Sequence, residues 1–224
     1  ESSGGGTSTA SGSESGSNVA YNFQVNTTSK FMINKYTGLG SDATLNLGNH
    51  FTPAWMLFKN LDQADDWVVY HHKNTSDPDT DHLHLNTADN MVDDNTIWND
   101  TAPTTSVFSV GSANETNKSS SNMVAYCFSQ VKGFSHFGAY TGMTDSADGP
   151  MIYTGFRPKI IIIKRTDGNE NWQISDTACT QITNSGAQGI QGNLIEQKLM
   201  INTGGAESSS NGDLDIYSNG FKLR

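Results

Sequence analysis

The chain has 224 residues, with 13 Lys and Arg against 23 Asp and Glu, giving a formal net charge of −10 and a pI near 4.8. That balance opposes tight binding to nucleic acid or to an anionic membrane, since both need a cationic surface that displaces counterions. Only 34% of residues are apolar and 16% charged, a composition of short strands joined by polar turns, and no apolar run approaches the roughly 18 residues of a membrane-crossing helix.

The opening stretch ESSGGGTSTASGSESGSN has almost no side chain to bury, and residues 1–20 read as a flexible Gly/Ser linker tethered to something upstream. YNFQV (21–25) alternates aromatic and polar residues as a first strand would. FMINKYTGLG (31–40) and FGAYTGMTDS (137–146) each set Tyr-Thr-Gly ahead of a polar turn, placing Tyr36 and Tyr140 in comparable positions.

The strongest internal signal is a repeat. FTPAWMLFKNLDQADDW (51–67) and FRPKIIIIKRTDGNENW (156–172) share Phe51/Phe156, Pro53/Pro158, Lys59/Lys164, Asp62/Asp167 and Trp67/Trp172 at a constant offset of 105. Each proline precedes a strand, where a missing N–H does no harm. The apolar runs that follow, Trp55 to Phe58 and Ile160 to Ile163, read as strands covered on both faces. Each lysine ends a run, the aspartates supply turn chemistry, and each tryptophan opens the returning strand. The recurrence of the tryptophans points to a shared place in the core rather than to a sugar-stacking platform.

Further strands are expected at 68–72, 82–86, 106–110 and 123–129, and then at 171–175, 194–202, 213–218 and 220–224, although LIEQKLMI fits a short helical stretch about as well as a strand. The fold class is therefore all-β: two tandem β-sandwiches of jelly-roll type, 21–136 and 137–224, following the linker. The second copy has no counterpart of MVAYCFS (123–129). Chain beyond Arg224, or a neighbouring subunit adding a strand, would cover the edge this leaves.

Candidate chemistry is sparse. His71, His72, His82 and His84 cluster in sequence, with His82 and His84 on one face of a strand, but they read as polar residues on a sheet surface. DPDTDH places Asp77, Asp79 and Asp81 at alternate positions, like the opening of a calcium loop. It lacks the glycine at the sixth position (His82) and the glutamate at the twelfth (Ala88). No nucleophile elbow or selected carboxylate pair is present, so no catalytic residue, cofactor or metal is assigned. Cys127 and Cys179 fall outside the repeat and read as free thiols.

TIWNDTAPTTSVFSVGS, MVAYCFSQVKGFSHFGAYTG, ADGPMIYTGFRPKIIIIKRTDGNENWQISDT and DIYSNGFKLR together resemble a repeated β-domain family of bacteriophage tail and appendage proteins, mostly marine. The resemblance covers about 35–224 and implies a non-enzymatic virion protein: a tail-fibre, spike or appendage segment present in several copies. It implies other virion proteins as partners, homo-oligomers, and a host-surface glycan or protein as a contact, without nucleic acid or membrane insertion. The loops 73–81, 88–95, 112–122 and 181–193 would carry that contact. A purely architectural spacer or capsid decoration, or a bacterial adhesin or carbohydrate-binding module, are the alternative readings.

Overall fold

The computed structural model describes residues 19–143, 148–177 and 194–224. The fold is all-β, with several antiparallel sheets and, among the described residues, two helices of one turn each. No helix among the described residues is long and apolar enough to cross a membrane.

β1 (Tyr21–Asn26) and β2 (Phe31–Thr37) form a hairpin in which Tyr21 opposes Tyr36. Its turn is set by Asn26, whose side-chain oxygen accepts from the N–H of Thr28 and of Ser29, both at 3.0 Å. After β3 (Ala43–Asn46) come β4 (Trp55–Asn60), β5 (Val68–His71), β6 (Asp81–His84) and the two-residue β7 (Val92–Asp93). Asp94 caps α1 (Asn95–Trp98) by accepting from Thr96 N–H at 2.8 Å. β8 (Val107–Val110), α2 (Asn114–Asn117) and β9 (Asn122–Phe128) complete the first unit.

The seven-stranded sheet runs β1-β2-β9-β4-β5-β6-β7, and β3 pairs with β8 in a second sheet. Between them lies the main core. Alternate residues of the large sheet, including Phe23, Met32, Met56, Phe58, Val68, Met123 and Cys127, pack against Leu45, Phe108, Ile97 and Trp98. Val19 is 2% exposed within this core, so the stretch read as linker contributes a buried side chain at this position.

The second unit comprises β10 (Met151–Tyr153), β11 (Ile160–Ile163), β12 (Gln173–Asp176), β13 (Leu194–Met200), β14 (Ser208–Tyr217) and β15 (Gly220–Leu223). They form one six-stranded sheet, β10-β15-β14-β13-β12-β11, over a smaller core of Ile161, Ile195, Leu214, Ile216 and Phe221. The expected pair of matched sandwiches is not what the described residues form. The first unit has two layers; the second has a single sheet.

The repeat is nonetheless physical. Trp55 opposes His71 and Phe58 opposes Val68 in the β4–β5 hairpin; Ile160 opposes Asp176 and Ile163 opposes Gln173 in β11–β12. Every one of these residues matches its counterpart at the 105-residue offset. The next strand repeats too, at a new offset of 116: Val69 faces Leu83, and Ile174 faces Leu199. Tyr36 and Tyr140 do not share in this equivalence. Tyr36 is buried in β2, whereas Tyr140 lies outside any strand at 41% exposure, because the similar letters stand in different topological surroundings.

Candidate functional site

Each repeated residue can be placed by what it touches. Pro53 and Pro158 are both buried, and Phe51 is buried while Phe156 is half-buried. Lys59 does more than end a strand: its ammonium donates to the carbonyls of Asn60, Gln63 and Asp65 at 3.0, 2.9 and 2.7 Å, tying the hairpin turn together. Lys164 repeats the last of these contacts, to Glu170 O at 2.8 Å, and adds one to Ala88 O of the first unit at 3.1 Å. The tryptophan backbones are held alike, Trp67 N–H by the Asn86 side chain at 2.8 Å and Trp172 N–H by that of Asn202 at 2.9 Å. Asn86 and Asn202 are again 116 apart, a part of the repeat the sequence reading missed.

Asp62 and Asp167 diverge. Asp62 accepts from Asn122 N–H at 2.7 Å and so grips the start of β9, the strand beside β4. Asp167 pairs instead with Arg165 at 2.7 Å on the surface. Among the described residues no strand stands beside β11 where β9 stands beside β4, which leaves Asp167 nothing comparable to hold.

The tryptophans diverge as well. Trp172 is 4% exposed and packs with Val69 and Leu83 of the first unit, flanked by Trp55, Leu57, Leu85, Met91 and Ile201. Its indole N–H donates to His84 O at 2.7 Å, and Met91 N–H reaches Thr166 O at 2.9 Å. The second unit is therefore seated on the outer face of the first sheet. Trp67, the counterpart of Trp172, is only half-buried.

The counterparts of the seat are open. Ile160, Ile162 and Leu199, equivalent to Trp55, Leu57 and Leu83, are exposed by 59%, 51% and 42%. Residues 204–207, which correspond to loop 88–91, are exposed also.

Next to the inter-unit seat, β6 carries His82 and His84 on one face, with ring centroids 4.9 Å apart. α2 brings Glu115 to them: His84 Nε2 lies 3.5 Å from Glu115 Oε1. One possible ligand atom from each of the three lies within 4.8 Å of the others. His82 is 3% exposed, against the expectation of a sheet-surface histidine. His82 Nδ1 and His84 Nε2 are both buried without a hydrogen-bond partner. Burial, and then His84, push the His82 pKa down. Burial also opposes protonation of His84, but the Glu115 carboxylate, helped by Asp66 and Asp89, raises its pKa overall.

The family model described as a domain of unknown function (DUF7483) matches residues 2–224, across both units. The chain belongs to the DUF7483 family. No curated protein and no solved structure matches it.

In this DUF7483 chain Asp77 and Asp81 of DPDTDH serve their own loop. Asp81 is buried and accepts from the Thr75 hydroxyl, Asp77 accepts from the Ser76 hydroxyl at 2.8 Å, and the single described group of three metal-capable side chains leaves out Asp77, Asp79 and Asp81. His71 and His72 have rings 5.5 Å apart, at the point where β5 ends. Cys127 is buried and free; Cys179 and loop 181–193 lie outside the described residues. Loop 112–122 is anchored within the fold: Asn117 donates to Ser41 O and Gly111 O at 2.6 and 2.7 Å and accepts from Leu39 N–H at 2.9 Å. Loop 88–95 is engaged by the second unit. Glu115 went unseen in the sequence because 31 residues separate it from His84 and no fixed spacing joins a strand to a distant helical turn.

Proposed function

We propose that this chain is a non-enzymatic structural module of a virion appendage, such as a tail-fibre or spike segment, that stacks its units head to tail and thereby multiplies weak contacts to a host surface. The observation that carries this reading is the seat of Trp172 on the first sheet, together with the exposed counterpart of that seat on the second. The occupant is a second copy of this chain presenting Trp67, which would repeat an interface already present within the molecule. A head-to-tail contact of this kind does not use the same patch on both partners, so it does not close as a two-fold dimer, and each added copy leaves a face for the next. The resemblance of the YTGFRP and SNGFKLR blocks to appendage proteins supports the virion setting.

Sedimentation of the purified chain across a wide concentration range tests the stacking. The average mass should climb past twice 24.2 kDa without levelling at a dimer. A mass that stays at one chain at all concentrations contradicts it. Adsorption of a multimerised chain to intact host cells tests attachment, and absence of adsorption leaves the architectural role alone.

The spacer reading is favoured by one observation of its own. Two of the loops that were expected to face a host, 88–95 and 112–122, are spent on internal hydrogen bonds. Loop 73–81 is the remaining described candidate for host contact.

A further inference from the structure

We propose that His82, His84 and Glu115 form a site for a divalent transition metal, with zinc the fitting ion. Two neutral imidazole nitrogens and one carboxylate are a ligand set that zinc takes, with water completing the coordination. Three independent features point to a ligand here rather than to a plain ion pair.

First, the atoms converge from two elements, β6 and α2, to within 4.8 Å of one another. Zinc bonds of roughly 2.0–2.2 Å require donors about 3.5 Å apart, so modest side-chain rotation closes the set. Second, His82 Nδ1 is buried with no hydrogen-bond partner, and His84 Nε2, also buried, meets only the Glu115 carboxylate at 3.5 Å. Buried polar atoms in folded proteins are nearly always satisfied, and two imidazole nitrogens placed so beside one carboxylate suit a shared ligand. Third, the backbone that carries these histidines is held from outside the site. Trp98 Nε1 donates to Asp81 O at 3.0 Å and Trp172 Nε1 to His84 O at 2.7 Å, fixing both ends of the strand segment that presents the rings.

A metal here would tie β6 to α2, the turn that leads into β9, and would brace the strand on which the second unit rests. Its role would be that of a staple. The site draws on different atoms from the stacking face, so either proposal can fail without the other.

Titration of zinc into the chelator-treated full chain, followed by calorimetry and by thermal unfolding, is the test. One zinc per chain should bind, and at free zinc a hundredfold above Kd the unfolding midpoint should rise by roughly 5–10 °C. Cobalt in place of zinc should give a visible d–d band of a nitrogen- and oxygen-ligated centre. Glu115→Gln, at a side chain 27% exposed and therefore tolerant of the change, should weaken binding at least tenfold, and His84→Gln should abolish it. His72→Gln, outside the cluster, should leave it intact. No saturable binding by the parent chain overturns the proposal, as does binding that survives both Glu115→Gln and His84→Gln.

Discussion

Trp172 of the second unit donates its indole N–H to the carbonyl of His84 in the first, 88 residues earlier in the chain, while its ring covers Val69 and Leu83. One side chain thus supplies both the apolar and the polar part of the contact between units. Trp172→Ala should cost about 3–5 kcal/mol, as removal of a buried tryptophan does. Trp172→Phe keeps much of the ring but orphans the His84 carbonyl, and should cost less, about 1–2 kcal/mol. Urea unfolding followed by far-ultraviolet dichroism measures both. Equal losses for the two variants would mean that the ring carries no part of the contact, and no loss for Trp172→Phe would mean that the hydrogen bond carries none.

Asn117 ties three segments of the first unit together through Ser41 O, Gly111 O and Leu39 N–H while fully buried. Asn117→Ala leaves those three backbone groups without partners, and the expected loss is about 3 kcal/mol. A loss under 0.5 kcal/mol in the same urea experiment would show that water replaces the amide. Removing residues 112–122 as a whole should unfold the first unit, since that segment also carries Thr116 and Ser121, both buried.

Alkaline pH should destabilise the fold through groups that the core keeps neutral. Burial pushes the Cys127 thiol from 9.0 up to about 12. Burial, and then the Asp79 carboxylate, push Tyr70 from 10.0 to about 12. Tyr36, buried and donating to Thr116 O, is raised well above 10.0. In each case the folded state binds the proton more tightly than the unfolded state does. The stabilising contribution is therefore complete below pH 9 and is lost as pH climbs toward 12. Urea midpoints at pH 8, 10 and 11 should fall in that order, and Cys127→Ala should flatten the first step. A midpoint independent of pH over this range would contradict the burial of these groups.

Lys59 makes three carbonyl contacts inside one turn and Lys164 makes two, one of them across the unit boundary. Both ammonium groups retain solvent contact, so Lys59→Met should cost only about 1–2 kcal/mol. The cost of Lys164→Met should shrink when combined with Trp172→Ala, because the Ala88 contact is lost with the interface. A double-mutant cycle reads this directly, and strict additivity would argue against a shared interface.

Much of the strand order was legible in the sequence because period and punctuation agreed. YNFQV, MVAYCFS, LIEQKLMIN and GFKLR became β1, β9, β13 and β15 with boundaries shifted by a residue or two. The 105-residue skeleton became two hairpins in identical register. β3, β7 and β10 are two to four residues long and carry too little pattern to stand out. Which copy of a shared tryptophan is buried was not legible at all. That depends on what lies beyond the sheet, and Trp67 and Trp172 read identically until the second unit is seen resting on the first. The His82–His84–Glu115 cluster escaped for the same reason, since Glu115 comes to β6 from a distant part of the chain.

The most direct test of the account mixes two variants. Trp67→Ala removes the stacking side chain but keeps the exposed face of Ile160, Ile162 and Leu199; Leu199→Glu, at a residue 42% exposed, charges that face but keeps Trp67. In sedimentation, each variant alone should remain a single chain, and the mixture should form a 1:1 dimer that grows no further, because one competent face then meets one competent tryptophan. A mixture that behaves as the sum of its parts, or either variant assembling alone as the parent does, would contradict head-to-tail stacking through these two surfaces.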